Sequence, residues 1–561
     1  MLDRFAVRKK VRSRGSDRES EHRASESGSG TGEFARWPAL WVIAMLLVTL
    51  GWATGCGGRE RVSPAEPAVV DTTTGALRGT VTADHRVFEA IPYAAAPVGD
   101  LRWKPPESQP HWQGTRDATR PGAECPQQIA AVVHGPGDIG GNEDCLFLNV
   151  WTPARSAGHE RAVMVWFPGG AFSVGDGASY DPSRLVAAGD MIVVTVNYRL
   201  GAPGFLADPA LAYDGGQVGN FGFLDQQAAL RWVREDIAAF GGDPARVTIA
   251  GESAGATSVC DHLVSPGSAG LFAAAIVQSG RCQLQGSRET AAHVSTDYAA
   301  QLGCGAADPA IEARCLRALP VDRLIATPLN YVTSSGIPTR GPVSGEPVLP
   351  DNPVTAIRAG RAAKVPVLIG VNHDEATAFV AAAPPATATQ YRDALVRNFG
   401  PDADRIAAAY PAANYAHPGS ALAAVFTDDD FACPAVTLAE SLARGGPVYQ
   451  YEFDDRTAAA PKTFPAGTIP LGAAHTFELP YLFEVTGLPN LATAAQQSLS
   501  GTMIAYWAAF VNSGDPHVAN RPDWPRRIGD KVLTLRPDAS TTATDFSGRH
   551  HCKQWPTRVP S

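Results

Sequence analysis

Gly251-Glu252-Ser253-Ala254-Gly255 sets a serine between two glycines at the spacing that suits attack on an acyl carbon. Two residues without side chains leave room for a sharp turn that lifts the serine hydroxyl clear of its surroundings. The aliphatic run Val247-Thr248-Ile249-Ala250 leads into the turn and an apolar helical stretch follows it, which predicts strand, turn and helix. The amide of Ala254 then falls at the start of the helix, where N–H groups lack carbonyl partners and can donate to an oxyanion. A serine hydroxyl is a poor nucleophile at neutral pH and needs a base within reach, for which histidine has the suitable pKa. Thirteen histidines compete for that role, so composition does not choose among them. A tight turn whose serine only bonds locally would use the same five residues.

The elements around this turn are legible as a pattern. Ala162–Phe167, Met191–Val196, Val247–Ala250, Ala275–Gln278 and Val365–Val371 are near-continuous aliphatic runs bounded by Gly, Pro or Asp. Such runs predict parallel strands buried on both faces. Between them lie Ala-rich stretches of helical period, Leu224–Phe240 among them. Strands alternating with helices predict an α/β protein with an open, mostly parallel twisted sheet flanked by helices. The site of such a sheet forms in the loops beyond the carboxyl ends of its strands.

Of the 561 residues, 45% are hydrophobic and 18% charged, a balance that excludes a disordered chain. The net charge of −9, with no basic stripe beyond the N-terminus, argues against nucleic-acid binding. No Gly-rich phosphate loop or metal-ligand cluster stands out, so no cofactor and no metal are expected.

Beyond the pentapeptide, FGGDPARVTIAGESAGATSV closely resembles the signature of the type-B carboxylesterase/lipase family, which includes the cholinesterases. Gly141-Asn142-Glu143-Asp144-Cys145-Leu146-Phe147-Leu148-Asn149-Val150 resembles its second signature. FEAIPYAAAPVGDLRWKPP, VTVNYRLGAPGFL and YWAAFVNSGDP extend the likeness from about Val69 to the end. The resemblance implies one large α/β-hydrolase domain and a serine carboxylesterase. It selects His475, in Gly472–Tyr481, as the base and Glu375, at the end of Val365–Val371 and its acidic turn, as the acid. The order Ser253, Glu375, His475 is the one this fold uses. Asp374, next door, is the alternative acid, and His373 reads as a surface neighbour. Glu252 is expected either to tune the imidazole or to be a buried structural carboxylate. Ser279 matches a family serine that would brace Glu375.

At the oxyanion hole the chain departs from the family's H-G-G-G-F. It has Pro168-Gly169-Gly170-Ala171-Phe172, so the expected donors are the amides of Gly170, Ala171 and Ala254. Ala171 keeps the N–H but narrows the space, and would be strained if its φ is positive.

The resemblance also implies disulfides Cys125–Cys145, Cys304–Cys315 and Cys433–Cys552. Cys260 and Cys282 are left either as a fourth bridge or, for Cys260, as a small apolar residue on the helix after Ser253. The loop between Cys125 and Cys145 has no Trp, Tyr or Phe to hold a quaternary ammonium, and it is short for a lipase lid. The expected partner is therefore a small-molecule ester other than a choline ester. Amidase, carbamate hydrolase or thioesterase activity would use the same machinery. A non-catalytic binding domain on this scaffold would typically lack one of the three residues, and here all three positions are filled.

The N-terminus reads as an address. Arg4, Arg8, Lys9, Lys10, Arg12 and Arg14 precede an uncharged run from Trp37 to Gly58. Ala53-Thr54-Gly55-Cys56 resembles a bacterial lipobox, which would make Cys56 the lipidated mature N-terminus. An ordinary cleaved signal and an uncleaved anchor are the alternatives. The expected division is an export signal over 1–56, a Pro/Ala-rich tether over 57–70 and the hydrolase domain over 71–561. An exported or envelope-anchored location suits the disulfides.

Overall fold

The structure, a computed structural model, describes residues 68–128, 139–155, 157–332, 338–461 and 469–555. Aliphatic runs with no polar face cannot leave either side in water, so they become the central strands of a covered sheet. Eleven strands make that sheet. In chain order they are β1 (Thr80–Val81), β2 (His85–Pro92), β3 (Phe147–Pro153), β4 (Arg161–Phe167), β5 (Ile192–Val196) and β6 (Gly242–Glu252). They continue with β7 (Ala274–Gln278), β8 (Val367–Asn372), β9 (Val448–Phe453), β10 (Val532–Leu535) and β11 (Thr541–Ala543). Their spatial order is β11-β10-β9-β8-β7-β6-β4-β5-β3-β2-β1. From β5 through β10 neighbouring strands are parallel, while the pairs at either end are antiparallel.

Alternation along each strand feeds two apolar layers. Val163, Val165, Ile249, Val277 and Ile369 pack into one, and Met164, Trp166, Ala250, Ile276 and Leu368 into the other. Helices α1 (Phe221–Asp236), α2 (Ala254–Val264) and α4 (Cys433–Leu442) cover the first layer. Helix α5 (Ala494–Ser513) covers the second with Leu499, Met503, Trp507 and Phe510. Helix α3 (Pro418–Thr427) belongs to a smaller cluster beside the sheet. A buried Phe, Leu or Val side chain is worth about 1.5–3 kcal/mol, so these two layers hold the sheet that carries the site.

The five aliphatic runs predicted as strands are β4 to β8. The predicted helix is α1, whose last turn tightens to a 3-10 helix over Ile237–Phe240. The sequence pattern does not reveal β9, because Gln450 and Glu452 interrupt its aliphatic character although all six residues are buried. Both side chains find partners inside: Arg527 donates to Gln450 Oε1, and Arg549 donates to Glu452 Oε2 at 2.7 Å.

At the N-terminal side, Val69–Asp71 pairs antiparallel with Ala76–Arg78, so Val69 and Val70, read as the end of the tether, are strand residues. The predicted export signal with Cys56, and the tether up to residue 67, lie outside the described residues. Among those described, no helix is long and apolar enough to cross a membrane. Among the described residues four disulfides are present, Cys125–Cys145, Cys304–Cys315, Cys433–Cys552 and Cys260–Cys282, so the last pair is bridged.

Candidate active site

Strand β6 ends at Glu252 and α2 begins at Ala254, which leaves Ser253 alone in the turn at φ 55°, ψ −118°. A non-glycine residue in such a conformation costs on the order of 1–3 kcal/mol and persists only where its surroundings dictate it. Here they do. The Ser253 N–H donates to the Gln278 carbonyl at 2.9 Å, and the Ser253 carbonyl accepts from Thr257 N–H at 2.9 Å. The flanking glycines are needed for close approach. A Cβ on Gly255 would stand 1.9 Å from the Phe167 carbonyl oxygen, and one on Gly251 would stand 2.5 Å from the Gly255 carbonyl carbon. Ala254 opens α2, so its N–H has no carbonyl one turn back.

The loop after β4 runs beside this turn. Gly170, Ala171 and Phe172 have φ of 110°, 54° and 56°. A Cβ on Gly170 would lie 2.0 Å from the Val174 carbonyl oxygen, so that position admits only glycine. Ala171 carries the positive φ that makes it a strained residue. The Tyr198 hydroxyl fixes the start of the loop by donating to the Pro168 carbonyl at 2.7 Å.

Strand β8 delivers the acidic turn. Glu375 is wholly buried; its Oε1 accepts from Asn372 N–H at 2.8 Å and its Oε2 lies 2.6 Å from His475 Nδ1. Asp374 points elsewhere: it accepts from Ala473 N–H at 3.0 Å and meets the His373 ring at 3.0 Å. Of the two carboxylates, Glu375 is therefore the one on the imidazole. The His475 loop is laced to this turn, with His475 N–H on the Glu375 carbonyl at 3.2 Å and the Asn372 amide on the Ala474 carbonyl at 2.7 Å.

The other ring nitrogen, Nε2, lies 3.1 Å from Glu252 Oε1, the residue before Ser253. That oxygen makes no aligned hydrogen bond among the described residues. Burial opposes charge on the imidazole, but Glu252 and Glu375 outweigh it and lift its pKa to about 9. Burial likewise pushes the Glu252 carboxyl upward, with His475 opposing and Glu478 and Glu375 reinforcing. The pair thus holds protons to higher pH than isolated side chains would.

One expectation meets a different arrangement. The brace expected from Ser279 is not formed: its buried Oγ has no hydrogen-bond partner among the described residues, and Glu375 is held by Asn372 N–H instead. Behind that contact lies a network of buried polar side chains. Asn372 Nδ2 donates to Glu478 Oε2 at 2.6 Å, and Gln278 Nε2 donates to Glu478 Oε1 at 3.2 Å. The Trp507 indole donates to Gln278 Oε1 at 2.9 Å. Glu478 follows His475 by three residues, a spacing that offers the sole hint of it in the sequence.

An open parallel sheet with a G-x-S-x-G turn at the end of an inner strand, in this strand order, defines the α/β-hydrolase class. The chain belongs to the Carboxylesterase family, which matches residues 66–555, and is a carboxylic ester hydrolase. It is 37% identical over 478 residues to a fumonisin B1 esterase of Sphingopyxis macrogoltabida, covering 81% of this chain and 84% of the relative. It is 35% identical to the para-nitrobenzyl esterase of Bacillus subtilis (strain 168), covering 84% and 95%. A solved PNB esterase superposes with a TM-score of 0.73 at 33% identity, covering 87% of this chain and 99% of its own.

Proposed function

We propose that Ser253, His475 and Glu375 form the catalytic triad, which hydrolyses a carboxylic ester through an acyl-enzyme on Ser253. In the first step Ser253 Oγ bonds to the ester carbonyl carbon as its proton passes to His475 Nε2. The amides of Gly170, Ala171 and Ala254 hold the resulting oxyanion. The carbon–oxygen bond to the alcohol then breaks, and His475 returns the proton to the departing oxygen. Water repeats the sequence on the acyl-enzyme and restores the serine. Glu375 fixes the Nδ1–H tautomer and stabilises the imidazolium. The observation that carries this reading is the 2.6 Å contact of buried Glu375 on Nδ1, with Nε2 turned to the side of the β6 turn. Glu252, at 3.1 Å from Nε2, favours the imidazolium as well.

The substrate is a carboxylic ester other than a choline ester, a reading supported by the absence of aromatic residues between Cys125 and Cys145. Relatives named for para-nitrobenzyl and fumonisin B1 esters support a broad class. Hydrolysis of p-nitrophenyl acetate and butyrate by wild type and Ser253→Ala tests the assignment. The expected result is loss of at least about 10³-fold in kcat, with fluorophosphonate labelling confined to wild type. Equal activity in the variant overturns it.

We also propose that residues 1–56 are an export signal and that a tether follows from residue 57 up to the hydrolase domain, whose first strand takes in Val69 and Val70. Cys56 would carry lipid at the cell envelope. The basic, apolar and small-residue order supports this, and the four disulfides are consistent with an oxidising compartment. Globomycin-sensitive processing is the expected outcome, and processing that ignores globomycin overturns lipidation.

A further inference from the structure

A short π-helical turn, Asp428–Ala432, joins α3 to α4 beside two of the proposed triad residues, Glu375 and His475. Just before it, the Thr427 hydroxyl oxygen accepts from the N–H of Ala376, the residue after Glu375, at 3.0 Å. Within it, Phe431 lies against the His475 ring at 5.3 Å between centroids. Phe379 lies at 5.1 Å from the same ring, and the two phenyl rings are parallel at 6.3 Å. The imidazole therefore rests on a pair of aromatic rings.

What holds Phe431 comes from three consecutive residues after β7. Arg281 pairs with Asp430 at 3.0 Å, and its guanidinium stands 5.5 Å over the Phe431 ring. Cys282 is bridged to Cys260 in α2, the helix that Ser253 precedes. Gln283 Nε2 donates to the Asp430 carbonyl at 3.2 Å. The first and third residues grip the π-helical turn, and the middle one is tied to the nucleophile's helix. Arg281 and Asp430 are both buried, at 4% and 1% exposure, so the pair is shielded from solvent screening. A guanidinium suits this place because it can pair with a carboxylate while standing over an aromatic ring.

We propose that Arg281 is a positioning residue for His475, holding Phe431 against the imidazole and so keeping the base in register with the nucleophile across the Cys260–Cys282 tie. Arg281 touches neither the triad nor the reacting atoms; it acts through Phe431. The charged groups that face the imidazole from the elements packed on it are Glu252, Glu375 and Glu478, with the Arg281–Asp430 pair one ring further out. The inference rests on the triad assignment above.

The test uses the purified full chain with p-nitrophenyl butyrate. Ser253→Ala settles the triad reading first, and that result stands whatever Arg281 does. Arg281→Gln is expected to lower kcat about ten- to a hundredfold with KM within about twofold, as small misplacements of a catalytic group do. The acid limb of its kcat/KM profile should shift as well, which a change confined to stability would not produce. Phe431→Leu should give a similar loss, and the double variant should be no worse than Phe431→Leu alone, because both changes cut one link. Effects that multiply in the double variant, or a folded Arg281→Gln enzyme with wild-type kcat, overturn the proposal. If Arg281→Gln does not fold, Arg281→Lys decides. It keeps charge on Asp430 and loses the guanidinium over the Phe431 ring, so kcat should drop about threefold at unchanged KM. Wild-type kcat in that variant overturns the proposal too.

Discussion

Two buried histidines in this molecule each sit between two carboxylates, and they are built for opposite ends. His475 lies between Glu375 and Glu252; His550 lies between Asp428, at 2.5 Å from Nδ1, and Glu452, at 2.9 Å from Nε2. Both are lifted above the ordinary histidine pKa by those carboxylates against the opposing effect of burial, to about 9 and about 10. The difference lies in what the second nitrogen finds. Both nitrogens of His550 are hydrogen-bonded, and its partners are bonded in turn, Asp428 by the Tyr410 hydroxyl at 2.7 Å and Glu452 by Arg549. In His475 only Nδ1 has an aligned partner, and Glu252 stands near Nε2 without completing a hydrogen bond. A histidine satisfied at both nitrogens is a cross-link; one satisfied at Nδ1 alone can still exchange a proton at the other.

Replacing each histidine by alanine should separate these roles most sharply. His475→Ala should cost about 10⁴-fold or more in kcat, and some stability as well, because Glu375 and Glu252 lose the charge between them. His550→Ala should instead lower stability by about 3–5 kcal/mol, since buried Asp428 loses its counter-charge and Glu452 keeps only Arg549, and the folded fraction should still hydrolyse ester. Denaturant unfolding followed beside initial rates measures both; a dead but stable His550→Ala protein would erase the distinction. The pH dependence has a definite sign. His550 has a raised folded pKa, so its contribution is full below the unfolded value near 6.5 and is lost as pH rises towards about 10. The stability gap between wild type and His550→Ala should narrow over that window.

Glu252→Gln sharpens the comparison on the other side. Removing one of the two charges that lift His475 should free the base at lower pH, moving the acid limb of kcat/KM downward. An upward or absent shift would mean that Glu252 does not act on the imidazole. The smallest effect is expected at Ala171. Glycine relieves its positive φ, so Ala171→Gly should gain up to about 1 kcal/mol in stability and alter acyl or alcohol preference while hydrolysis persists. Complete loss of hydrolysis there would contradict the assigned oxyanion loop.

The inner sheet was legible because β4 to β8 are aliphatic on both faces, and Ser253 because its pentapeptide lies between a strand and a helix. Glu375 and His475, which the structure brings into contact, come from family motifs rather than from any local pattern. Several supports escaped notice for physical reasons. Asn372 and Glu478 are polar residues that burial makes valuable only once their partners are in place, and those partners are distant in sequence. Phe431 looks like an ordinary core aromatic until its ring is found against the imidazole. At Cys260 and Cys282, spacing alone fits a bridge and a packed apolar cysteine equally well.

The Cys433–Cys552 bridge closes a covalent ring with a sequence separation of 119, the widest of the four. Ser253 and Glu375 lie outside that ring and His475 lies inside it. A single backbone cut anywhere between the two cysteines therefore releases no fragment until the bridge is reduced. On a gel such a nicked chain runs as one species without reductant and as two with it. The histidine stays leashed to the rest of the molecule through either half.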